Sequence, residues 1–153
     1  MIKSQRNDIK FRPDVHCHSE TVPDNAAIAQ CNRTWSEKIS VIKNKITECK
    51  NKITEYNDLK TDIEDKKQMA QDLQGKFASA EKSIKTADLH IDFSECDDCL
   101  ENLVSTFDTM MTDCDKKVDE WTEKQEQYEK DLEDAQTAKE ECANITKIIT
   151  VCE

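Results

Sequence analysis

Cysteine is the residue type in this sequence whose number and spacing could do the most chemistry. Cys96 and Cys99 are separated by two residues, the CxxC spacing of thiol oxidoreductases and of metal knuckles. Asp97 and Asp98 lie between them and disfavour the thiolate that either chemistry needs, and no second CxxC completes a zinc site. The even, dispersed set of eight cysteines instead predicts structural disulfides made in an oxidising compartment. The set is Cys17, Cys31, Cys49, Cys96, Cys99, Cys114, Cys142 and Cys152.

The three histidines add no recognisable catalytic or metal-binding pattern. His16 and His18 flank Cys17, but successive residues of an extended arm point in different directions, so Cys17 is poorly placed to share a metal with the two histidines. His90 has no serine, cysteine and acid around it in a nucleophile motif. The sequence therefore predicts no catalytic residue, no cofactor and no metal site, and the protein is expected not to be an enzyme.

Two N-glycosylation sequons are present. Asn32 begins the first, Asn-Arg-Thr, and Asn144 begins the second, Asn-Ile-Thr. Because this modification belongs to the secretory pathway, both asparagines are possible glycosylation sites, and together with the cysteines they favour a secreted, extracellular protein.

Apolar residues recur in alternating steps of three and four along most of the chain, the pattern of coiled-coil-type helices. An immediate seven-residue repeat, 44–49 followed by 51–56, is its clearest part. The first apolar stripe covers residues 28–91 and the second covers residues 100–152. One Gly and two Pro residues leave few sites for the turns that a sheet requires. The predicted fold class is all-α, with antiparallel amphipathic helices.

The chain divides into an N-terminal arm, residues 1–25, and a helical domain, residues 26–153. The arm holds both prolines and has no steady period. Cys17 is expected to tether this arm to the body, because an untethered arm of such polarity would stay disordered. The helical domain is expected to turn near Asp92, where the helical periodicity is interrupted.

Two arrangements of the helical domain are open, a disulfide-stapled helical hairpin and a three- to four-helix bundle. The hairpin would bring Cys31 near Cys152 and Cys49 near Cys142, but would leave three cysteines together near the turn. A bundle, with helix breaks at Gly75 or at residues 56–58, buries more apolar surface and brings those cysteines within reach of Cys17. The bundle is the favoured prediction.

The formal net charge of −11 bears on the partners that the chain can have. Nucleic acids and anionic lipid surfaces are disfavoured because they repel an acidic protein. No hydrophobic run approaches the roughly 20 residues of a membrane span, and the N-terminus lacks the apolar core of a signal peptide, which predicts a mature, processed form without membrane association. An extracellular protein with a basic surface is the expected partner, matched by acidic clusters at residues 62–65, 95–101 and 129–141.

Two other functions are compatible with the same pattern. Aromatic residues on the apolar stripes could line a pocket between splayed helices, as in carriers of small hydrophobic ligands. That pocket would be lined by Trp35, Phe77, Phe107 and Trp121. The second alternative is a structural coiled-coil protein, because long heptad-like stripes also serve in dimers and filaments.

The sequence also resembles a group of known proteins. Its eight dispersed cysteines, the Lys- and Asn-rich amphipathic segment 42–59, two sequons and acidic character resemble the small secreted, disulfide-bridged, all-helical salivary proteins of blood-feeding insects. The resemblance implies interference with complement, coagulation or platelet adhesion in the host. The predicted function is therefore a secreted, non-enzymatic binding protein that inhibits an extracellular defence or haemostatic protein.

Overall fold

The computed structural model describes residues 16–153, and most of them are helical. Residues 1–15 of the predicted N-terminal arm lie outside these described residues. The elements in chain order are strand β1 (Cys17–Pro23), helix α1 (Asn25–Thr86), helix α2 (Ser94–Glu141), a 3₁₀ turn (Cys142–Asn144) and strand β2 (Thr146–Cys152). The prediction of a mainly helical protein with long helices is confirmed, and two short strands are added to it.

The backbone contacts divide the chain into two compact units. Residues 39–134 form one, called here the hairpin unit. Residues 16–38 and 135–153 form the other, called here the bridged unit.

In the hairpin unit, the two helices run antiparallel and meet along the predicted apolar stripes. The Lys60 ammonium lies 2.8 Å from Oδ1 of Asp115, and Lys45 lies over the Tyr128 ring. As residue numbers rise along α1 they fall along α2 in these pairs, which defines the antiparallel direction. The buried residues of this unit are Ile46, Cys49, Ile63, Ala70, Leu100 and Cys114.

The turn between the helices is set by local backbone chemistry. The N–H of Leu89 donates to the carbonyl of Ile84 and that of Asp88 donates to Lys85, the hydrogen-bond pattern of a Schellman motif. Asp88 takes the left-handed conformation that this motif requires, with φ of 58°. Helix α2 begins at Ser94, whose N–H donates to the carboxylate of Asp92 at 2.9 Å. Hydrogen bonding from the Ser94 side chain, and then from its backbone N–H, lowers the pKa of Asp92.

Helix α1 continues through both positions where a break was predicted, and residues 16–153 contain only two α-helices. The prediction of a three- to four-helix bundle is therefore wrong, and the hairpin arrangement is the observed one. A Cβ at Gly75 would meet no neighbouring atom, so this glycine lies on an open face of the helix. Glycine costs a helix only about 1 kcal/mol relative to alanine. Contacts on both sides, Lys67 with Asp108 and Phe77 with Phe93, hold the helix across it.

In the bridged unit, the two strands pair antiparallel along their full length. The register runs from Cys17 opposite Cys152 to Pro23 opposite Thr146. The N–H of Asp24 then donates to the carbonyl of Ile145, and the Asp24 carboxylate accepts the N–H of Ala27, which caps the N-terminus of α1.

The strand pair corrects two predictions, an irregular segment for residues 17–23 and a helix continuing to Cys152. The segment Thr146–Cys152 is rich in β-branched residues, which favour extended backbone. Ile145, Ile149 and Cys152 also satisfy a helical spacing, so the three-and-four pattern continued into a strand.

Candidate functional site

The two disulfides lie in the bridged unit. Cys17 is bonded to Cys152, and Cys31 is bonded to Cys142. The predicted pairings of Cys31 with Cys152 and of Cys49 with Cys142 are wrong. Helix α2 ends at Glu141, and Cys142, the next residue, lies beside Cys31. The chain then continues as strand β2, which pairs with β1 and places Cys152 opposite Cys17. The tether predicted for Cys17 is present.

The other four cysteines are thiols in the structure, although disulfides were predicted for them. Cys49 and Cys114 are buried in the seam of the hairpin unit, whereas Cys96 and Cys99 are exposed at the start of α2. Burial raises the pKa of the Cys49 thiol, and the neighbouring Glu48 raises it further. A raised pKa keeps this thiol protonated and unreactive at neutral pH.

The two sequons lie in different environments. Asn32 is half-buried within α1, next to the bonded Cys31. The Thr34 hydroxyl of this sequon donates to the carbonyl of Gln30. Asn144 is exposed at the end of the 3₁₀ turn. Glycosylation at either asparagine stays a prediction, and Asn144 offers the more accessible side chain.

The aromatic residues of the predicted ligand pocket are distributed over several surfaces. Trp35 belongs to the bridged unit, where Lys38 lies 4.4 Å from the centre of its ring. In the hairpin unit, the Lys124 ammonium lies 4.2 Å from the centre of the Trp121 ring. Phe77 lines a small groove beside Cys96 and Cys99, and Phe107 lines a larger one. Neither of these two grooves is lined by a tryptophan, and the predicted pocket of four aromatic residues stays a prediction.

The larger groove lies between α1 and α2 in the hairpin unit and has a volume of about 500 Å³. Its walls are apolar, formed by Met69, Ala70, Leu73, Leu100, Leu103 and Phe107. Three of these side chains are well exposed, Met69 at 69%, Leu73 at 43% and Leu103 at 40%. A pair of helices covers one stripe on each helix, so apolar residues flanking that stripe stay open to solvent. Lys66, Lys76 and Asp72 form the polar rim of this groove.

The two helices differ strongly in charge. Helix α1 carries 12 Lys and Arg residues against 9 Asp and Glu, whereas α2 carries 5 against 17. The helices therefore attract each other, and the ion pairs of Lys60 with Asp115 and of Lys67 with Asp108 are local instances. Most of the acidic side chains of α2 are exposed.

Three exposed carboxylates on α2 define what we call the acidic face: Asp119, Glu123 and Glu126. Their spacing of four and three residues places them on one side of the helix. None of the three forms an ion pair with another residue in the part of the chain that the structure describes. The acidic face is thus a row of three exposed carboxylates on an ordered helical backbone.

Sequence reasoning located acidic clusters but missed this asymmetry between the helices. The net charge of −11 is a sum over the whole chain, and this sum does not show that α1 has more basic than acidic residues. A count of charge for each predicted helix would have found it, because both helices are evident from the apolar spacing.

Comparisons with protein-family models, with curated proteins and with solved structures found no match to this chain. Residues 16–153 contain no helix that is both long and apolar enough to cross a membrane. Across the same residues, no three His, Cys, Asp or Glu side chains come together in a group that could hold a metal ion.

Proposed function

We propose that this protein is a secreted, non-enzymatic binding protein whose acidic face binds a basic surface on an extracellular protein. The resemblance to salivary proteins suggests a partner in complement, coagulation or platelet adhesion, which the binding would inhibit. The observation that carries the proposal is the charge of α2, with 17 acidic and 5 basic residues.

Charge of this kind acts on association in two ways. A row of like charges raises the rate of encounter with an oppositely charged surface, and complementary potentials select among partners. Because the carboxylates of the acidic face are held on one side of a regular helix, little conformational freedom of the backbone is lost on binding. The disulfides support the extracellular part of the proposal, since such bonds persist mainly in oxidising compartments.

The test is a binding measurement with matched charge variants. Asp119→Asn, Glu123→Gln and Glu126→Gln together neutralise the acidic face without changing side-chain size. Glu48→Gln, Asp58→Asn and Asp65→Asn make the same change in net charge with exposed residues of α1 in the same unit. Circular dichroism establishes that both triple variants fold.

Binding to plasma proteins with basic surfaces is then measured by surface plasmon resonance, alongside complement, clotting and platelet assays. We expect the α2 variant to bind at least about tenfold more weakly and the α1 variant about twofold at most. Affinity should also fall steeply as salt rises, because screening shortens the reach of exposed charges. Equal losses in the two variants, or an affinity indifferent to salt, would contradict the proposed surface, and capture of no plasma protein would contradict the function.

The groove supports a second candidate function, the carriage of a small amphipathic anion such as a fatty acid. Its walls are apolar, yet Lys66 and Lys76 lie on its rim in a chain of net charge −11. Apolar walls with a few convergent polar groups are typical of ligand sites. A carboxylate near these ammonium groups with a hydrocarbon tail along Met69 and Leu73 would fit that distribution.

Displacement of a fluorescent fatty acid tests this second function. Leu73→Glu places a negative charge on the groove wall and should weaken binding at least about tenfold. Val41→Glu is the matched control, since Val41 is also an exposed apolar residue of α1, outside the groove. Absence of saturable binding by the wild-type protein, or equal weakening by both variants, would rule out the groove as a carrier site.

A further inference from the structure

The four thiols of the hairpin unit fall into two kinds. Cys49 and Cys114 are buried on different helices. Cys96 and Cys99 are exposed and close together at the start of α2. Their ability to form further bonds depends on the register of the two helices.

The register excludes a bond between the two buried thiols. Lys60 pairs with Asp115, so Cys114 lies beside residue 61 of α1. Cys49 lies twelve residues earlier on that helix, which corresponds to roughly 18 Å at 1.5 Å per residue. A disulfide requires Cα atoms within about 7 Å. Cys49 and Cys114 therefore stay as thiols while the hairpin unit is folded.

Cys96 and Cys99, unlike the buried pair, are close enough to each other to form a disulfide. Residues three apart on a helix have Cβ atoms about 5 to 6 Å apart, close enough for a small local adjustment to join the sulfurs. Cys96 lies in the first turn of α2, where backbone N–H groups have no carbonyl partner within the helix, so an adjustment on that side disrupts little helical hydrogen bonding. Exposure of both side chains gives an external reactant access.

The chain already holds two disulfides, which places it with proteins exposed to oxidising conditions.

We propose that Cys96 and Cys99 form a third disulfide, an exposed CxxC bond that is reduced before the two of the bridged unit. The bond forms by exchange with an external disulfide, either of a small molecule or of an oxidase protein. The thiolate of one cysteine attacks the external disulfide, forms a mixed disulfide and releases one external thiolate. The second cysteine then attacks the bonded sulfur and releases the other. Two electrons reduce the external disulfide, and the two protons end on its thiols.

The test is differential alkylation of the folded wild-type protein after incubation with oxidised glutathione, followed by peptide mass spectrometry. We expect no thiol to react in the folded protein and two to react after unfolding, Cys49 and Cys114. The peptide containing Cys96 and Cys99 should lack two hydrogens. A low concentration of dithiothreitol should then free Cys96 and Cys99 while both bonds of the bridged unit stay intact.

Three results would overturn the proposal. The first is alkylation of both Cys96 and Cys99 after incubation with oxidised glutathione, and the second is a disulfide from either cysteine to another cysteine or chain. The third is reduction of a disulfide of the bridged unit before the bond between Cys96 and Cys99. The double variant Cys96→Ser with Cys99→Ser provides the control. The folded variant should have the same circular dichroism spectrum as the wild type. After denaturation it should show the same two reactive thiols, Cys49 and Cys114. These results do not depend on the identity of any binding partner, so they are independent of the proposed function.

Discussion

The bridged unit and the hairpin unit are held together by different means. The bridged unit buries only Ala135 and Cys142 and relies on two disulfides and a pair of strands. The hairpin unit contains no disulfide in the structure and relies on a seam of six buried residues and on opposite charge. Covalent bonds thus replace a core where few apolar residues are available, as small extracellular domains commonly do. The candidate binding surfaces, the acidic face and the groove, both lie in the unit that has a side-chain core.

The largest effect that separates the units is expected from removing the disulfides. With Cys17–Cys152 intact, Cys31–Cys142 closes only a small additional ring, so Cys31→Ser with Cys142→Ser should cost about 3 kcal/mol of unfolding free energy. Loss of both bonds also releases the long loop between the ends, for a total of about 8 kcal/mol. Urea unfolding followed by circular dichroism measures both losses. Equal stability of the wild type and the variant without either bond would show that the strands hold the bridged unit unaided.

The seam of the hairpin unit is tested by shortening one buried side chain. Ile63 is 3% exposed, and Ile63→Ala should destabilise the protein by about 3 kcal/mol, the sum of lost apolar burial and the cavity left behind. Val41 is 53% exposed, and Val41→Ala should change stability very little. Hydrogen exchange should become faster around residue 63 in the first variant only. A similar small change in both would indicate that the seam contributes little to stability.

The charge attraction between the helices predicts a pH effect on the hairpin unit. The hydrogen bond from Lys60 to Asp115 raises the pKa of this lysine. Because the pKa is raised in the folded state, the stabilisation is complete below the usual lysine pKa of about 10.4 and is lost as the pH rises through the folded value. The stability difference between the wild type and Lys60→Met should therefore stay constant up to about pH 10 and shrink as the pH rises above the usual lysine pKa of about 10.4. Thermal unfolding across this range measures it.

Lys43→Met is the control for that experiment. Lys43 is exposed and has no ion-pair partner among residues 16–153. Its stability difference from the wild type should stay constant over the same pH range. A parallel drift in both variants would mean that general lysine titration, rather than the pair with Asp115, causes the loss.

The smallest effect on stability is expected from glycosylation in the bridged unit. Asn144 is exposed and Asn32 is half-buried, so secretory expression should give a glycan on Asn144 and much less on Asn32. Intact mass spectrometry of the wild type, Asn32→Gln and Asn144→Gln distinguishes the two sites. A glycan on every Asn32 with none on Asn144 would contradict this preference for Asn144. We expect a glycan at either site to change the unfolding temperature very little.

Much of the hairpin unit could be predicted from the sequence. The three-and-four spacing identified the buried positions Ile46, Ile63 and Leu100, because burial on a helix imposes a period of 3.6 residues. The turn near Asp92 was also evident where that period stops. The groove was not evident, because spacing identifies which side of a helix is apolar but not how much of that side a neighbour covers.

The bridged unit was predicted much less well. Ile145 and Ile149 continue the helical spacing of α2, and that spacing outweighed the β-branched composition of residues 146–152 in the prediction. Pairing with Cys17–Pro23, more than 120 positions away in the chain, makes the segment a strand, and β-structure depends on such partners.

The sequence by itself determined two amphipathic helices, their antiparallel return near Asp92 and the excess of acid on α2, because each depends on residues near one another in the chain. Only the tertiary structure decided which cysteines bond, since a disulfide depends on whether two distant Cα atoms come within reach. Cys152 reaches Cys17 only because a strand returns it there. Cys49 stays a thiol because the residues of α2 that face it include no cysteine.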